Sequence, residues 1–243
     1  MKIDTSNSQR FIAAYNSIDY ALRTVYDIKR ATGFSDAVRR AANNNAAIRK
    51  FEDDLIDYGR LRNSIVHNSG KTMAEPHLDV VERIEHIAKV LVTPPLAITT
   101  GRRSTTNVEA GVNVAAAITK HYETSYRNLP IIKNKAIVGV SNLTYIADML
   151  AEIVHNKKSV DDYINKTTVE EFLRRKDGIE YYVIAKEDLT VSEALTLFSS
   201  NRRLACILFT PSGCNYEVPT GILTTADIIE LNAILDIYDV KAD

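Results

Sequence analysis

The first ninety residues carry apolar positions at helical spacing. Phe11, Ala14, Ile18, Leu22 and Val25 recur at three- and four-residue intervals and form one stripe, which predicts a helix that Gly33 stops, with Lys29 and Arg30 in its last turns. A short helix over 35–42 follows. A third starts near Asn45, holds Ile48, Phe51, Leu55, Tyr58, Leu61, Ile65 and Val66 on its apolar side, and ends in Asn68-Ser69-Gly70. A fourth, over 78–91, repeats Val81, Ile84, Ile87, Ala88 and Leu91. With almost no strand signal, this is an antiparallel helical bundle of about 85 residues, marginal alone and sufficient when dimerised.

Past Pro94-Pro95 and Gly101-Arg102-Arg103-Ser104 the pattern changes to short apolar runs between helices. Shifted by about 77 residues, the chain matches itself. Thr190-Val191-Ser192-Glu193-Ala194-Leu195 falls on Asn113-Val114-Ala115-Ala116-Ala117-Ile118, each a helix entered from a short strand. Leu204-Ala205-Cys206-Ile207-Leu208-Phe209 falls near Asn128-Leu129-Pro130-Ile131-Ile132, and Gly221-Ile222-Leu223 matches Gly139-Val140-Ser141. Each copy reads strand, helix, strand, strand, helix. Neither buries a good core alone, so the two should pack together. The predicted class is α+β: a bundle over 1–90, a first repeat over 91–152, a polar, partly helical connector over 153–180 and a second repeat over 181–243. In the connector, Val169-Glu170-Glu171-Phe172-Leu173 reads as a helix able to pack on the repeats.

Composition narrows the setting. Forty-five per cent of the 243 residues are hydrophobic and 25% charged, at a formal net charge of -1, which argues against a broad basic surface and leaves any RNA contact local. No apolar run reaches the roughly 18 residues of a membrane span, and 1–8 is too polar for a signal peptide, so a cytoplasmic location is expected. Cys206, in an apolar strand, and Cys214, in a loop, lack histidines at metal-ligand spacing and read as free thiols.

The segment Gly221-Ile222-Leu223-Thr224-Thr225-Ala226-Asp227-Ile228-Ile229 ends a strand and opens a helix. Thr224 sits at the helix start, where free N–H groups favour an anion, and Asp227 can accept hydrogen bonds from a sugar diol. The same residues also make an ordinary capping box. In its repeat context, 91–231 resembles a tandem pair of CBS domains, the regulatory fold named after cystathionine β-synthase. That resemblance implies clefts for an adenine nucleotide such as AMP, ADP or ATP as a regulatory ligand. It assigns Thr224 and Asp227 to the ribose and α-phosphate, and the strand Tyr182-Val183-Ile184-Ala185 to the base. Arg203 is placed either to meet phosphate by a charge-assisted bond or as a solvated arginine beside Arg202. In the first copy the corresponding positions are Asn142 and Tyr145, without the carboxylate, so one well-formed site is expected, with Arg127 a weaker phosphate candidate and Tyr145 filling space.

Arg62-Asn63-Ser64-Ile65-Val66-His67 closes the third predicted helix. Asn63 and His67 share a helix face, whereas Arg62 lies about 140° around the axis from His67. The segment resembles the Arg-x4-His motif of HEPN domains, helical bundles found in many ribonucleases. The resemblance implies a metal-independent endoribonuclease built at a homodimer interface. In it His67 handles a proton, Arg62 stabilises phosphorane charge and Asn63 orients the scissile phosphate of single-stranded RNA. The alternative is that Arg62 and His67 only cap the helix end, as cations there complement the dipole. His77, His86, His121 and His155 read as surface residues, and Glu52-Asp53-Asp54 as a solvated helix face.

Two functions follow. One is an adenine-nucleotide-sensing regulatory protein whose tandem pair controls a HEPN-like bundle across the stiff Pro94-Pro95 link. The other is a non-enzymatic adaptor whose bundle only dimerises or grips a protein partner.

Overall fold

The computed structural model describes residues 6–66, 75–103, 105–174 and 181–237. The chain divides into two compact units. One holds Met1–Pro95, Thr190–Thr196 and Asn232–Asp243; the other holds Leu96–Leu189 and Leu197–Leu231.

The first unit is built from five helices of the N-terminal segment: α1 (Asn7–Val25), α2 (Phe34–Ala42), α3 (Ala46–Lys50), α4 (Glu52–Ile65) and α5 (Leu78–Val92). A capping box between Ser6 and Gln9 starts α1. The helix ends at Val25 instead of running to Gly33, because Asp27 takes a left-handed turn at φ 48°. Lys29 therefore lies in the loop, where its carbonyl accepts from Arg23 Nη1 at 3.0 Å. The single long helix expected from Asn45 breaks at Phe51 (φ −102°, ψ 13°) into α3 and α4. The fully buried Phe51 ring meets His86 edge-on at 6.3 Å, with the Arg83 guanidinium 5.1 Å above its face. Tertiary seating of one aromatic thus overrides helical continuity. Glu52, Asp53 and Asp54 then occupy the first turn of α4, where carboxylates suit the positive end of the helix dipole. Phe11, Ile18, Leu22, Leu55, Ile84 and Ile87 fill the core, each nearly or fully buried and worth about 1.5–3 kcal/mol relative to exposure.

The second unit carries the repeat. Its first copy comprises β1 (Val108–Glu109), α6 (Val114–Thr124), β2 (Asn128–Lys133), β3 (Ala136–Asn142) and α7 (Leu143–His155). The connector forms α8 (Val160–Lys166) and α9 (Val169–Arg174). The second copy comprises β4 (Tyr182–Lys186), α10 (Val191–Ser200), β5 (Cys206–Thr210), β6 (Gly221–Thr224) and α11 (Ile228–Ile237), the last entered through a 3-10 turn over Thr225–Asp227. Helices α10 and α11 contribute residues to both units.

Both sheets have the same topology, with the first pair of strands parallel and the second antiparallel. Ile132, Ile137 and Val140 of one sheet share a core with Cys206, Leu208 and Ile222 of the other. The opposite face of the first sheet is covered by Ala117 of α6 and Val169 of α9, packed on Val108, Leu129 and Ile131. Phe172 of α9 joins Ile146, Met149 and Ile153 of α7 in a further cluster, so the connector is part of the first copy's packing.

Two histidines depart from the surface positions expected of them. His86 is half-buried and donates from Nε2 to the Leu235 carbonyl at 2.9 Å. His121, on α6, is 1% exposed. Its Nδ1 lies 2.6 Å from the Tyr126 carbonyl, which can only accept, so Nδ1 carries the proton and Nε2 accepts from the Ser141 hydroxyl at 2.9 Å. Burial pushes the His121 pKa below 6.5 and the Tyr126 carbonyl opposes that shift. Folding thus favours neutral His121, a contribution complete above about pH 6.5 and lost as pH falls through the lower folded value. The midpoint of urea denaturation should drop between pH 7.5 and pH 5.5, and the drop should shrink in His121→Phe. At pH 7.5 the variant should be about 1–3 kcal/mol less stable, because Ser141 and the Tyr126 carbonyl lose a buried partner. An undiminished acid response in the variant assigns it to another group.

Candidate functional site

Thr224, the last residue of β6, has extended backbone and accepts from the Ala226 N–H at 3.3 Å. Asp227 folds back onto it. Its Oδ2 accepts from the Thr224 N–H at 2.6 Å and from the Thr224 hydroxyl at 2.9 Å. The box therefore uses one carboxylate oxygen, Oδ2, and both side chains are half-buried. The same geometry recurs at Thr168 with Glu171, which opens α9, and at Thr190 with Glu193, which opens α10. What sets this box apart is that Thr224 is itself the last residue of a strand, β6, paired with Cys206 of β5.

Register places the base candidates beside them. Tyr182 pairs with Cys206, and Cys206 pairs with Thr224, so the three stand in one row across β4, β5 and β6. Side chains in one row share a face, and the outer two are about 10 Å apart at normal strand spacing. Tyr182 and Ile184 are half-buried against the core that holds Cys206; Ala185 is buried. Burial raises the Cys206 thiol to about 12, so it stays protonated. At the edge of β6, Arg102 exchanges backbone hydrogen bonds with Ile222 at 3.1 and 3.0 Å, adding a bridge from the segment before β1. Gly101 permits this approach: a Cβ there would lie 2.8 Å from the Ile222 carbonyl oxygen. The Arg102 guanidinium sits 3.4 Å above the Tyr126 ring.

Arg203 is exposed, in the turn before β5, where its N–H donates to Asn201 Oδ1 at 3.0 Å. Its charge acts on Tyr145, whose phenol is pushed well above the ordinary tyrosine value by burial and by Tyr181, with Arg203 opposing. Arg203 thus lies within electrostatic reach of the first copy's acid position. There Asn142 caps α7, accepting from Thr144 N at 2.8 Å, and donates to Asn128 at 2.6 Å. Tyr145 packs against Tyr181 with ring centroids 3.5 Å apart and the planes tilted by 39°. These rings, with Gly139, Tyr182, Phe172 and Leu173, line a cavity of about 170 Å³. Tyr181, Phe172 and Leu173 had no sequence assignment to a cleft. Their one legible sign was the apolar face of the connector helix and a second tyrosine beside Tyr182.

In the bundle, Arg62 stands in the last turn of α4, and its carbonyl accepts from the Val66 N–H at 3.0 Å. Its guanidinium is near enough to Tyr15 to oppose the burial that raises that phenol to about 12. Asn63 is exposed. His67 and Asn68-Ser69-Gly70 lie outside the described residues. Among the described residues no group of three or more His, Cys, Asp and Glu side chains is arranged to hold a metal, and no helix is long and apolar enough to cross a membrane.

No family model and no curated protein matches the chain. Among solved structures it is similar to the CBS domain of a bacterial CNNM/CorC-family Mg2+ transporter in complex with ATP, at 15% identity and TM-score 0.45, covering 63% of this chain and 95% of that one. It is also similar to a CBS-domain protein of unknown function from Kribbella flavida, at 16% identity and TM-score 0.44 over 57% of this chain and 99% of that one. A third is a hemolysin-like CBS-domain protein of Oenococcus oeni, at 18% identity and TM-score 0.40 over 56% and 88%.

Leu173 fills the space a side chain at Gly139 would need, since a Cβ there would lie 2.6 Å from Leu173 Cδ1. Gly139→Val should cost about 1–3 kcal/mol in urea denaturation and distinctly less in a Leu173→Ala background. Equal costs in the two backgrounds would mean that Leu173 is not the obstacle.

Proposed function

We propose that this chain is an adenine-nucleotide-sensing regulatory protein, cytoplasmic and homodimeric, in which the tandem repeat reads AMP, ADP or ATP and the helical bundle is the output. The observation that carries the reading is the row Tyr182–Cys206–Thr224 ending on the Asp227 box. It sets an aromatic side chain and a hydroxyl–carboxylate pair on one sheet face, at a span a nucleoside covers.

The chemistry is an exchange of partners. A ribose diol donates to Asp227 and replaces the Thr224 hydroxyl there. Thr224, released, donates to the α-phosphate, which the N–H groups at the start of the following turn also favour. Tyr182, Ile184 and Ala185 offer the base an apolar strand, and Arg203 supplies positive charge for phosphate.

Charge and capping separate in Asp227→Asn, whose amide oxygen can still accept from the Thr224 N–H. Calorimetric titration with AMP, ADP and ATP should show at least one ligand bound by the native protein and its affinity reduced tenfold or more in Asp227→Asn. Thermal stability should change little. Equal affinity in both proteins removes the carboxylate from the site.

In the finer reading the bundle is a HEPN-like, metal-independent ribonuclease acting on single-stranded RNA through Arg62, Asn63 and His67 of two copies. Arg62 supplies charge at the phosphorane, Asn63 orients the phosphate and His67 moves the proton. The native dimer should cut single-stranded RNA in chelator, and His67→Ala should not. The adaptor reading is favoured by the place of Arg62, which ends α4 beside Tyr15 of the same bundle. Cleavage that persists in His67→Ala, or no cleavage by the native protein, leaves that reading in place.

A further inference from the structure

Helix α3 is five residues long, far short of what holds a helix in water. Its first N–H groups are satisfied from a segment roughly 150 residues away in the chain. The Ala46 N–H donates to Thr196 Oγ1 at 3.2 Å, and the Ala47 N–H to Ser192 Oγ at 3.2 Å. The Ile48 N–H donates to Asn45 Oδ1 at 3.0 Å, and that same oxygen accepts from the Ser192 hydroxyl at 2.6 Å. Thr196 in turn donates to the Ser192 carbonyl at 2.8 Å. The start of α3 is thus one hydrogen-bonded network with successive turns of α10, and Ser192 is 4% exposed within it. Val191 is anchored there as well, its N–H donating to the Pro95 carbonyl at 2.8 Å.

The end of α3 is held by the other repeat helix. Lys50 Nζ donates to the Asn232 carbonyl at 3.2 Å and to Asp236 at 2.9 Å, and the Leu235 carbonyl accepts from His86 at 2.9 Å. Both helices lead straight out of the proposed nucleotide site. The strand assigned to the base, β4, runs into α10, and the Thr224–Asp227 turn runs into α11.

We infer that α3 is a conditional helix, latched at its start by Ser192 and Thr196 of α10 and at its end by α11, and that this latch is the point where the repeat acts on the bundle. Its use as a nucleotide signal rests on the function proposed above. Hydrogen bonds have a reach of a few tenths of an ångström, so a small shift of α10 breaks the Ala46 and Ala47 bonds together. Loss of both leaves α3 without its first turn, and Phe51, which follows directly, loses its fixed approach to the core. The latch opens as a unit because Ser192 is shared between Ala47 and Asn45.

Hydrogen exchange on the chain of 243 residues tests the latch directly. Ser192→Ala should speed exchange of the Ala46 to Ile48 amides about tenfold or more, with amides in the middle of α1 and α5 unchanged. Thr196→Val should act chiefly at Ala46. Unchanged exchange in α3 for both variants, in proteins whose α1 and α5 protection shows them folded, overturns the inference.

A second arm adds AMP or ATP at saturation. Ligand-dependent exchange in α3 that disappears in Ser192→Ala, with the calorimetric affinity retained, supports the signal. Binding without any response in α3 overturns the latch as a signal route and leaves the nucleotide reading standing. No binding heat with any adenine nucleotide overturns the nucleotide reading instead, while the exchange of the two variants still decides the latch.

Discussion

A three-stranded sheet has two faces, and neither copy of the repeat has enough helix of its own to cover both. That constraint shapes the second unit. Ile132, Ile137 and Val140 find their cover in Cys206, Leu208 and Ile222, so each sheet serves as the other's second layer. The outer face of the first sheet is closed by α6 and by Val169 of the connector. Because the shared layer fixes the strands in register, it also fixes the row that ends at Thr224. The Asp227 box then stands at the rim of a packed core, where a one-residue slip would turn Thr224 to the other face.

Divergence between the copies has a physical expression. Just past the end of β6 stands a carboxylate whose partners among the described residues are donors of its own cap. Just past the end of β3 stands Tyr145, tilted against Tyr181, with Leu173 close over Gly139. One copy keeps a polar rim that can exchange hydrogen bonds, and the other has an aromatic wall. An aromatic wall holds its neighbours by dispersion and shape, whereas the polar rim is held by directional hydrogen bonds.

Much of this fold was legible in the amino-acid sequence because it is written in apolar runs. Phe11 to Leu22, Val81 to Ile87 and the strand Cys206 to Phe209 all read correctly from spacing alone, as did the two copies with their five elements. What was not legible depended on single residues whose surroundings come from elsewhere. Phe51 fits a continuous helix as well as it fits a break, and partners that seat it, Arg83 and His86, lie more than thirty residues away in the chain. His121 stands in no pattern, so nothing local marks the carbonyl and hydroxyl that bury it. Lys29 and Arg30 suit the end of a helix that Asp27 has already finished. The candidate site was legible as a motif, yet Thr168 and Thr190 carry the same box, so spacing alone does not separate a cap from a ligand site. The row through Tyr182 and Cys206 sets only Thr224, of the three threonines, in a strand paired with β5, and register of that kind has no sequence signature.

The dependence of α3 on Ser192 and Thr196 also orders events at the ribosome. The N-terminal helices are synthesised first, but the hydroxyls that complete α3 lie 145 and 150 residues further along the chain, as Leu235 lies 149 beyond His86 and Asp236 lies 186 beyond Lys50. Local helices such as α1 and α5 can form early, while the seam at Asn45 must wait for a closure spanning 147 residues. Biogenesis is therefore gated from the C-terminal side, and a nascent chain arrested before Thr190 would hold an unfinished front half.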